Sequence, residues 1–536
     1  ADVVAAAGED DAVVLAALSF HFCVGGLAPD FSHDTMWYHL SVPGQWVITG
    51  RCLAMPLVFP SNYPLALEAV YAGLLTFSNE IFAAALNIPI LLFLMGAVLA
   101  GADRYCPRGA LPAVAALFIP ALARQFALVP LGMKHDRLAS LALLLAFLSA
   151  WELIVLRRGK FRLLEGVSLG FILTTALATK VLTIAYIGPF LIIFALQHIL
   201  RRRSLKRLCL LVALIAAVGL AVYSPWIARS MQYSGDPFFP YGATVLRTDP
   251  QFDVAYQAIG IENTMYEIGT PTDIVVMLGG FRRTIYRGLF NADVILGLML
   301  LTITATLAFG KKRWRWQGVL LLWFFWVPLL IRGHTNVLRY FGVCYPLGVL
   351  GIGWSLHLLF RHMSHRARIF CLLLFLLASC AHYAGKQWQK ANYETFQWPW
   401  HPMVTRQGWE TMATHAEKGS PLAFRHIRDH IEKEATVLFP SGYYPYYLKR
   451  QTIWADEVVH KLDPVQALPW HRSNTAKLKK YLREKEIDYI LLDEKDSKCL
   501  APAAPELDEE HVIERAPLSQ PSVSRQWYLY RVLPVR

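Results

Sequence analysis

The sequence predicts a polytopic α-helical membrane protein that ends in a small extracytoplasmic α/β domain. Three observations carry that class. Of 536 residues, 55% are hydrophobic and only 17% are charged, against roughly 25% charged in soluble domains. The apolar residues gather into runs near the ~20 residues that a helix needs to cross a bilayer. Beyond residue 388 the pattern changes to short apolar strands alternating with amphipathic helices.

Taken in order, the runs predict about eleven transmembrane helices. They fall near residues 11–29, 80–100, 110–128, 138–156, 164–179, 182–199, 208–226, 292–310, 317–332, 338–359 and 369–386. The 164–199 region reads either as two helices or as one re-entrant unit. The start Ala1-Asp-Val-Val has no basic region and no cleavage site, so no signal peptide is expected there. An initial Ala suggests that the natural start lies elsewhere.

The loops set the orientation. The net charge of +13 sits in short clusters between apolar runs, such as Arg157-Arg158-Gly-Lys160, Arg201-Arg202-Arg203 and Lys311-Lys312-Arg313. Five such clusters fall on one side, which the positive-inside rule makes cytoplasmic. That distribution also speaks against a nucleic-acid groove, and no nucleic-acid partner is expected. The eight cysteines show no CxxC pair or zinc spacing. No nucleotide-binding fingerprint and no internal repeat is present.

The predicted organisation is a membrane module over 1–387 and a soluble extracytoplasmic domain over 388–536. Two large outer segments interrupt the module, 30–79 and 227–291. The first carries an apolar stretch between Leu65 and Leu75 that is too short to span and reads as an interfacial helix. In the tail, helices are predicted at 423–435 and 474–486, with strands at 435–439, 487–492 and 527–532.

The densest chemistry lies just after the first apolar run, in Asp30-Phe-Ser-His-Asp34-Thr-Met-Trp-Tyr-His39-Leu-Ser-Val-Pro43, followed by Trp46 and Gly50-Arg51. Two carboxylates, two histidines and several aromatics beside a bilayer suit acid–base work and sugar binding better than a plain exit loop. Each group also has an ordinary reading. Asp30 and His33 read as solvated, and His39 as a packing group. Lys180, in a short apolar turn, is either purposeful or snorkels to the headgroups. Arg339, beside His334 and Arg332, reads as part of a loop cluster.

The chain resembles the GT-C glycosyltransferases, in the branch similar to protein mannosyltransferases and aminoarabinose transferases that uses polyprenyl-phosphate sugars. The likeness rests on Asp34 to Pro43 with Trp46 and Gly50-Arg51, then Phe59-Pro-Ser-Asn-Tyr-Pro64 with Glu68. It continues with Lys134-His-Asp136, Thr179-Lys180, Gly235-Asp-Pro-Phe-Phe-Pro-Tyr241, and Arg339-Tyr340 with Pro346. It implies a GT-C fold and an inverting transfer from a polyprenyl-phosphate-linked sugar to a protein, lipid or glycan acceptor. The reaction would take place on the extracytoplasmic side of a bacterial-type inner membrane.

The resemblance makes Asp34 the general base, with Asp30, His39, Glu68 and Asp136 supporting it. It makes Arg51, Lys134, Lys180 and Arg339 the cations for the donor phosphate. One departure stands out: Ser61-Asn-Tyr-Pro64 replaces a Lys-Pro-Pro-like element common among such transferases. No motif specifies a cofactor or metal ligands, though a divalent cation is compatible with the chemistry. A secondary transporter or flippase for a lipid-linked glycan and a noncatalytic complex subunit are the alternatives. Transporters show paired repeats and intramembrane charges; here no such repeat is present, and the candidate polar groups cluster on one face.

Overall fold

The computed structural model describes residues 35–55, 58–78, 80–105, 135–156, 161–180, 183–200 and 204–237, and shorter stretches beyond, chiefly 427–439, 448–454, 475–493, 513–516 and 527–533. The spans expected at 11–29, 110–128, 292–310 and 317–332, and almost all of 338–359 and 369–386, lie outside the described residues. So do residues 238–291.

From Thr35 the chain is helical where an exit loop was expected. Thr35–His39 forms a π-turn, closed by the Leu40 amide donating to the Thr35 carbonyl at 2.8 Å. It runs into α1 (Ser41–Thr49), which ends at Gly50 with φ of 65°. Pro43 lies in the first turn of α1, where a missing N–H costs nothing, and a left-handed glycine is a common helix stop. The apolar stretch expected to lie on the surface is α2 (Ala66–Phe77).

Further helices follow: α3 (Glu80–Ala85), α4 (Asn87–Tyr105), α5 (Asp136–Ala150), α6 (Leu163–Thr179), α7 (Ile184–Leu200) and α8 (Leu205–Ser234). The 164–199 region is therefore two helices, parted at Lys180. By length and hydropathy, Phe82–Arg104 and Leu205–Ser234 can each cross a membrane. Their outward Phe93, Leu210 and Leu220 are 61–70% exposed, as expected of side chains that face lipid rather than a protein core.

α4 packs on α5, α5 on α6, and α6 on α8. The α6–α8 approach is close enough to depend on small residues. A Cβ on Gly170 would lie 3.0 Å from the Val218 Cβ and 3.2 Å from the Ile215 Cα. Small residues at such crossings let helix backbones approach in lipid, where association relies on packing.

The C-terminal part forms a five-stranded mixed sheet. Its strands are β1 (Thr436–Phe439), β2 (Gln451–Trp454), β3 (Tyr489–Asp493), β4 (Ile513–Ala516) and β5 (Trp527–Val532), in the order β2-β1-β3-β5-β4. β1 pairs in parallel with β2 and β3, and β5 pairs antiparallel with β3 and β4. The strands expected at 435–439, 487–492 and 527–532 coincide with β1, β3 and β5; β2 and β4 were not foreseen. The helix expected at 474–486 is α9 (Thr475–Glu484). Val437, Phe439 and Leu491 join Phe424 and Ile427 in one buried cluster.

The sheet is seated on the membrane part through β2. The Gln45 side chain of α1 donates to the Arg450 carbonyl at 2.9 Å and accepts from the Thr452 amide at 3.0 Å. One amide side chain thus satisfies both backbone groups of a strand edge. Trp454 packs into a buried cluster with Tyr38, Val42 and Trp46. Replacing Gln45 with Leu leaves the buried Thr452 amide unpaired, at roughly 1–3 kcal/mol, while the Arg450 carbonyl keeps the Thr452 hydroxyl at 2.9 Å. Faster amide exchange confined to residues 450–454 is the expected outcome; unchanged protection there contradicts this seating.

Candidate active site

Three segments distant in sequence converge at one end of the helical part: the Thr35–His39 turn, the first turn of α2, and the head of α5. The π-turn bond widens the helix by a residue, and such turns are frequent at functional sites. Here it accompanies an inward-facing pair, Tyr38 and His39, which are 8% and 0% exposed.

Glu68, in the first turn of α2 and fully buried, receives both histidines. The Nδ1 atoms of His39 and His135 lie 2.5 Å and 3.4 Å from its Oε1. The two imidazoles meet edge to face at 4.6 Å, and Tyr38 stacks obliquely on His39 at 3.9 Å. Burial pushes the Glu68 carboxyl up, but the His135 and His39 hydrogen bonds and charges outweigh it and hold the group at about 2. A position in the first turn of a helix also favours an anion. Glu68 is therefore a buried carboxylate.

His135 occupies the position where a capping side chain would sit on α5, yet makes no capping bond; its ring points to Glu68 instead. The next residue, Asp136, forms an ion pair with Lys180, the residue that ends α6. Both partners are largely buried, with side chains 9% and 15% exposed. A buried ion pair holds its geometry because removing either partner strands the other charge.

The expected site residues therefore divide. His39, Glu68, Asp136 and Lys180 are brought together, with His135 among them. Arg51 is exposed in the turn after α1. Asp30, Asp34, Lys134 and Arg339 lie outside the described residues; Asp34 immediately precedes the buried turn that begins at Thr35.

Arg229, near the end of α8, was not singled out from the sequence. Its buried guanidinium donates to the carbonyls of Cys52, Leu53 and Ser61 at 3.0, 2.9 and 2.6 Å. It also lies over the rings of Trp46 and Trp226, at 5.4 and 5.9 Å. Trp46 donates to the same Leu53 carbonyl at 2.8 Å. Residues Cys52 and Leu53, and Ser61 at the start of the Ser61-Asn-Tyr-Pro64 departure, are thus clamped from α8. The available signal was an ionisable residue in an otherwise apolar helix, which is costly unless it has a purpose.

His39, Glu68 and His135 are also the described residues able to hold a metal ion, with donor atoms within 4.8 Å of one another.

This arrangement lies in a fold shared with solved structures. No family model matches the chain, and no curated protein matches it in sequence. Among solved structures, the ArnT protein from Cupriavidus metallidurans, bound to undecaprenyl phosphate, matches 98% of each chain with a TM-score of 0.57 and 14% identity. The oligosaccharyltransferase of Archaeoglobus fulgidus, tethered to an acceptor peptide, covers 95% of this chain and 73% of its own, with a TM-score of 0.51 and 13% identity. The same archaeal protein, in complex with an inhibitory peptide and a dolichol-phosphate, gives a TM-score of 0.51 at 12% identity. The chain thus shares the fold of these solved proteins over essentially its whole length, as the resemblance implied.

Proposed function

We propose that the protein transfers a sugar from a polyprenyl-phosphate donor to an acceptor at the extracytoplasmic face of a bacterial-type inner membrane, with inversion. The observation that carries this reading is the gathering of His39, Glu68, His135, Asp136 and Lys180 at one end of a helical part. Supporting it, the fold is one whose solved examples hold undecaprenyl phosphate or dolichol-phosphate.

The acceptor attacks the anomeric carbon from the face opposite the phosphate. The bond from that carbon to the phosphate oxygen breaks, and its electron pair leaves with the polyprenyl phosphate. The acceptor's proton passes to the Asp34 carboxylate. General-base catalysis of this kind contributes about 10²–10⁴-fold. Asp34 directly precedes in sequence a turn fixed through His39 and Glu68, so those groups position the base, and Asp30 stands four residues earlier in the sequence.

The departing phosphate dianion needs fixed positive charge, for which Arg51, Lys134, Lys180 and Arg339 serve. Lys180 has three donors. Its pairing with Asp136 anchors the ammonium at the end of α6.

Binding of the donor's lipid phosphate tests this directly. Purified protein in detergent is expected to bind undecaprenyl phosphate, read by native mass spectrometry. Lys180→Met should weaken that binding roughly tenfold, the value of one charge-assisted contact. Equal affinity in the variant removes Lys180 from the phosphate site, and no binding by the unaltered protein counts against a polyprenyl donor.

A further inference from the structure

We propose that Trp454, which closes β2 of the C-terminal sheet, is a positioning residue for the transfer reaction. Through the buried cluster that it shares with Tyr38, it holds the Thr35–His39 turn that Asp34 precedes. The proposal rests on the transferase reading and adds to it a role for the sheet.

The turn has two anchors. The first lies within the helical part, where the His39 Nδ1 meets Glu68 at 2.5 Å. The second runs through Tyr38, whose ring centroid lies 3.9 Å from that of His39. Tyr38 belongs to a buried cluster with Val42, Trp46, Val58, Leu65 and Trp454. Trp454 alone among these comes from the sheet. It is also the bulkiest of the fully buried side chains among the described residues.

The Trp454 ring serves the turn rather than its own sheet. The core of the sheet is a separate cluster, which holds Phe424, Val437, Phe439 and Leu491 but not Trp454. The backbone of β2 is placed without the ring. Trp454 is in register with Phe439 of β1, and the Thr452 amide donates to Gln45 at 3.0 Å. The indole Nε1 is buried with no hydrogen-bond partner among the described residues, so the ring contributes volume and not a bond. Volume behind Tyr38 keeps the turn in register. A catalytic group displaced by ~1 Å can lose on the order of 10²-fold in rate.

Two substitutions in the full-length protein in detergent test this. Trp454→Leu removes most of the ring, and Trp454→Phe keeps an aromatic of smaller size. The readouts are kcat at saturating donor, affinity for undecaprenyl phosphate by native mass spectrometry, and amide exchange along the chain. Trp454→Leu should lower kcat by about 10–100-fold and speed exchange across residues 35–40. Protection of β1 and β3 and affinity for undecaprenyl phosphate should stay at the wild-type level, a split that general loss of structure would not produce. Trp454→Phe should lose less than ~3-fold in kcat, because near-isosteric swaps are the best tolerated, and should still speed exchange across 35–40 measurably.

Wild-type kcat in Trp454→Leu overturns the proposal, as does unchanged exchange across 35–40. A loss confined to donor affinity overturns it too. If Trp454→Leu unfolds the sheet, Trp454→Phe decides alone, and wild-type exchange across 35–40 in that variant overturns the proposal. If the unaltered protein transfers no sugar, the transferase reading falls, and exchange across 35–40 decides by itself whether Trp454 holds the turn.

Discussion

Asp34→Asn is expected to abolish sugar transfer, with a loss of about 10²–10⁴-fold, while expression and membrane insertion stay normal. Asparagine keeps the shape of the side chain and removes its capacity to take a proton. The prediction has a structural footing although Asp34 itself lies outside the described residues. The next residue, Thr35, is completely buried and opens the turn whose last residue, His39, is held by Glu68 at 2.5 Å. A base attached to an anchored turn is held in register with its substrate, and proton transfer requires that closeness. Asp30→Asn, four residues before the anchor, should retain measurable transfer. Full activity in Asp34→Asn would remove Asp34 as the base.

The second large effect concerns stability. Arg229→Leu removes the three hydrogen bonds that the guanidinium donates to the carbonyls of Cys52, Leu53 and Ser61 at 2.6–3.0 Å. The Leu53 carbonyl keeps the Trp46 bond and Cys52 is exposed, so the buried Ser61 carbonyl carries the main cost of roughly 1–3 kcal/mol. The damage should reach the site. Arg229 lies against Trp46, and Trp46 shares a buried cluster with Tyr38 and Trp454. Arg229→Lys should recover only part of the loss, because a compact ammonium cannot reproduce the planar fork that reaches three carbonyls. Thermal unfolding in detergent measures both variants; a wild-type melting temperature for Arg229→Leu contradicts the clamp.

What could be read from the sequence follows from range. Helices at 80–105, 136–156, 163–200 and 205–234 announce themselves through apolar runs, a local property. His39 stood out in a stretch dense in ionisable groups and Lys180 as a charge in an apolar turn, whereas Glu68 entered only through the resemblance. Their partners could not be read: His39 meets Glu68 across 29 positions and His135 meets it across 67.

Range also explains what was missed. Gln45 is an unremarkable residue until it pairs with a strand edge 407 positions away, and Arg229 matters through carbonyls up to 177 positions back. The turn at Thr35–His39 read as a loop because Pro43 and Gly44 follow it closely. That proline falls in the first turn of α1, where it is tolerated. β2 escaped because a four-residue strand alternating exposed and buried positions carries too little apolar signal. Its burial comes from the parallel pairing with β1 and from Trp454 reaching across to Trp46.

The central claim is that this chain moves a sugar from a polyprenyl phosphate to an acceptor. The direct measurement incubates purified protein with a panel of polyprenyl-phosphate sugars and membrane extract and follows the products by mass spectrometry. The account predicts one donor consumed, an acceptor gaining the mass of a single sugar with inverted anomeric configuration, and no such product from Asp34→Asn. No transfer from any donor by a protein that still binds undecaprenyl phosphate would contradict it and favour a lipid-linked-glycan transporter or a noncatalytic subunit.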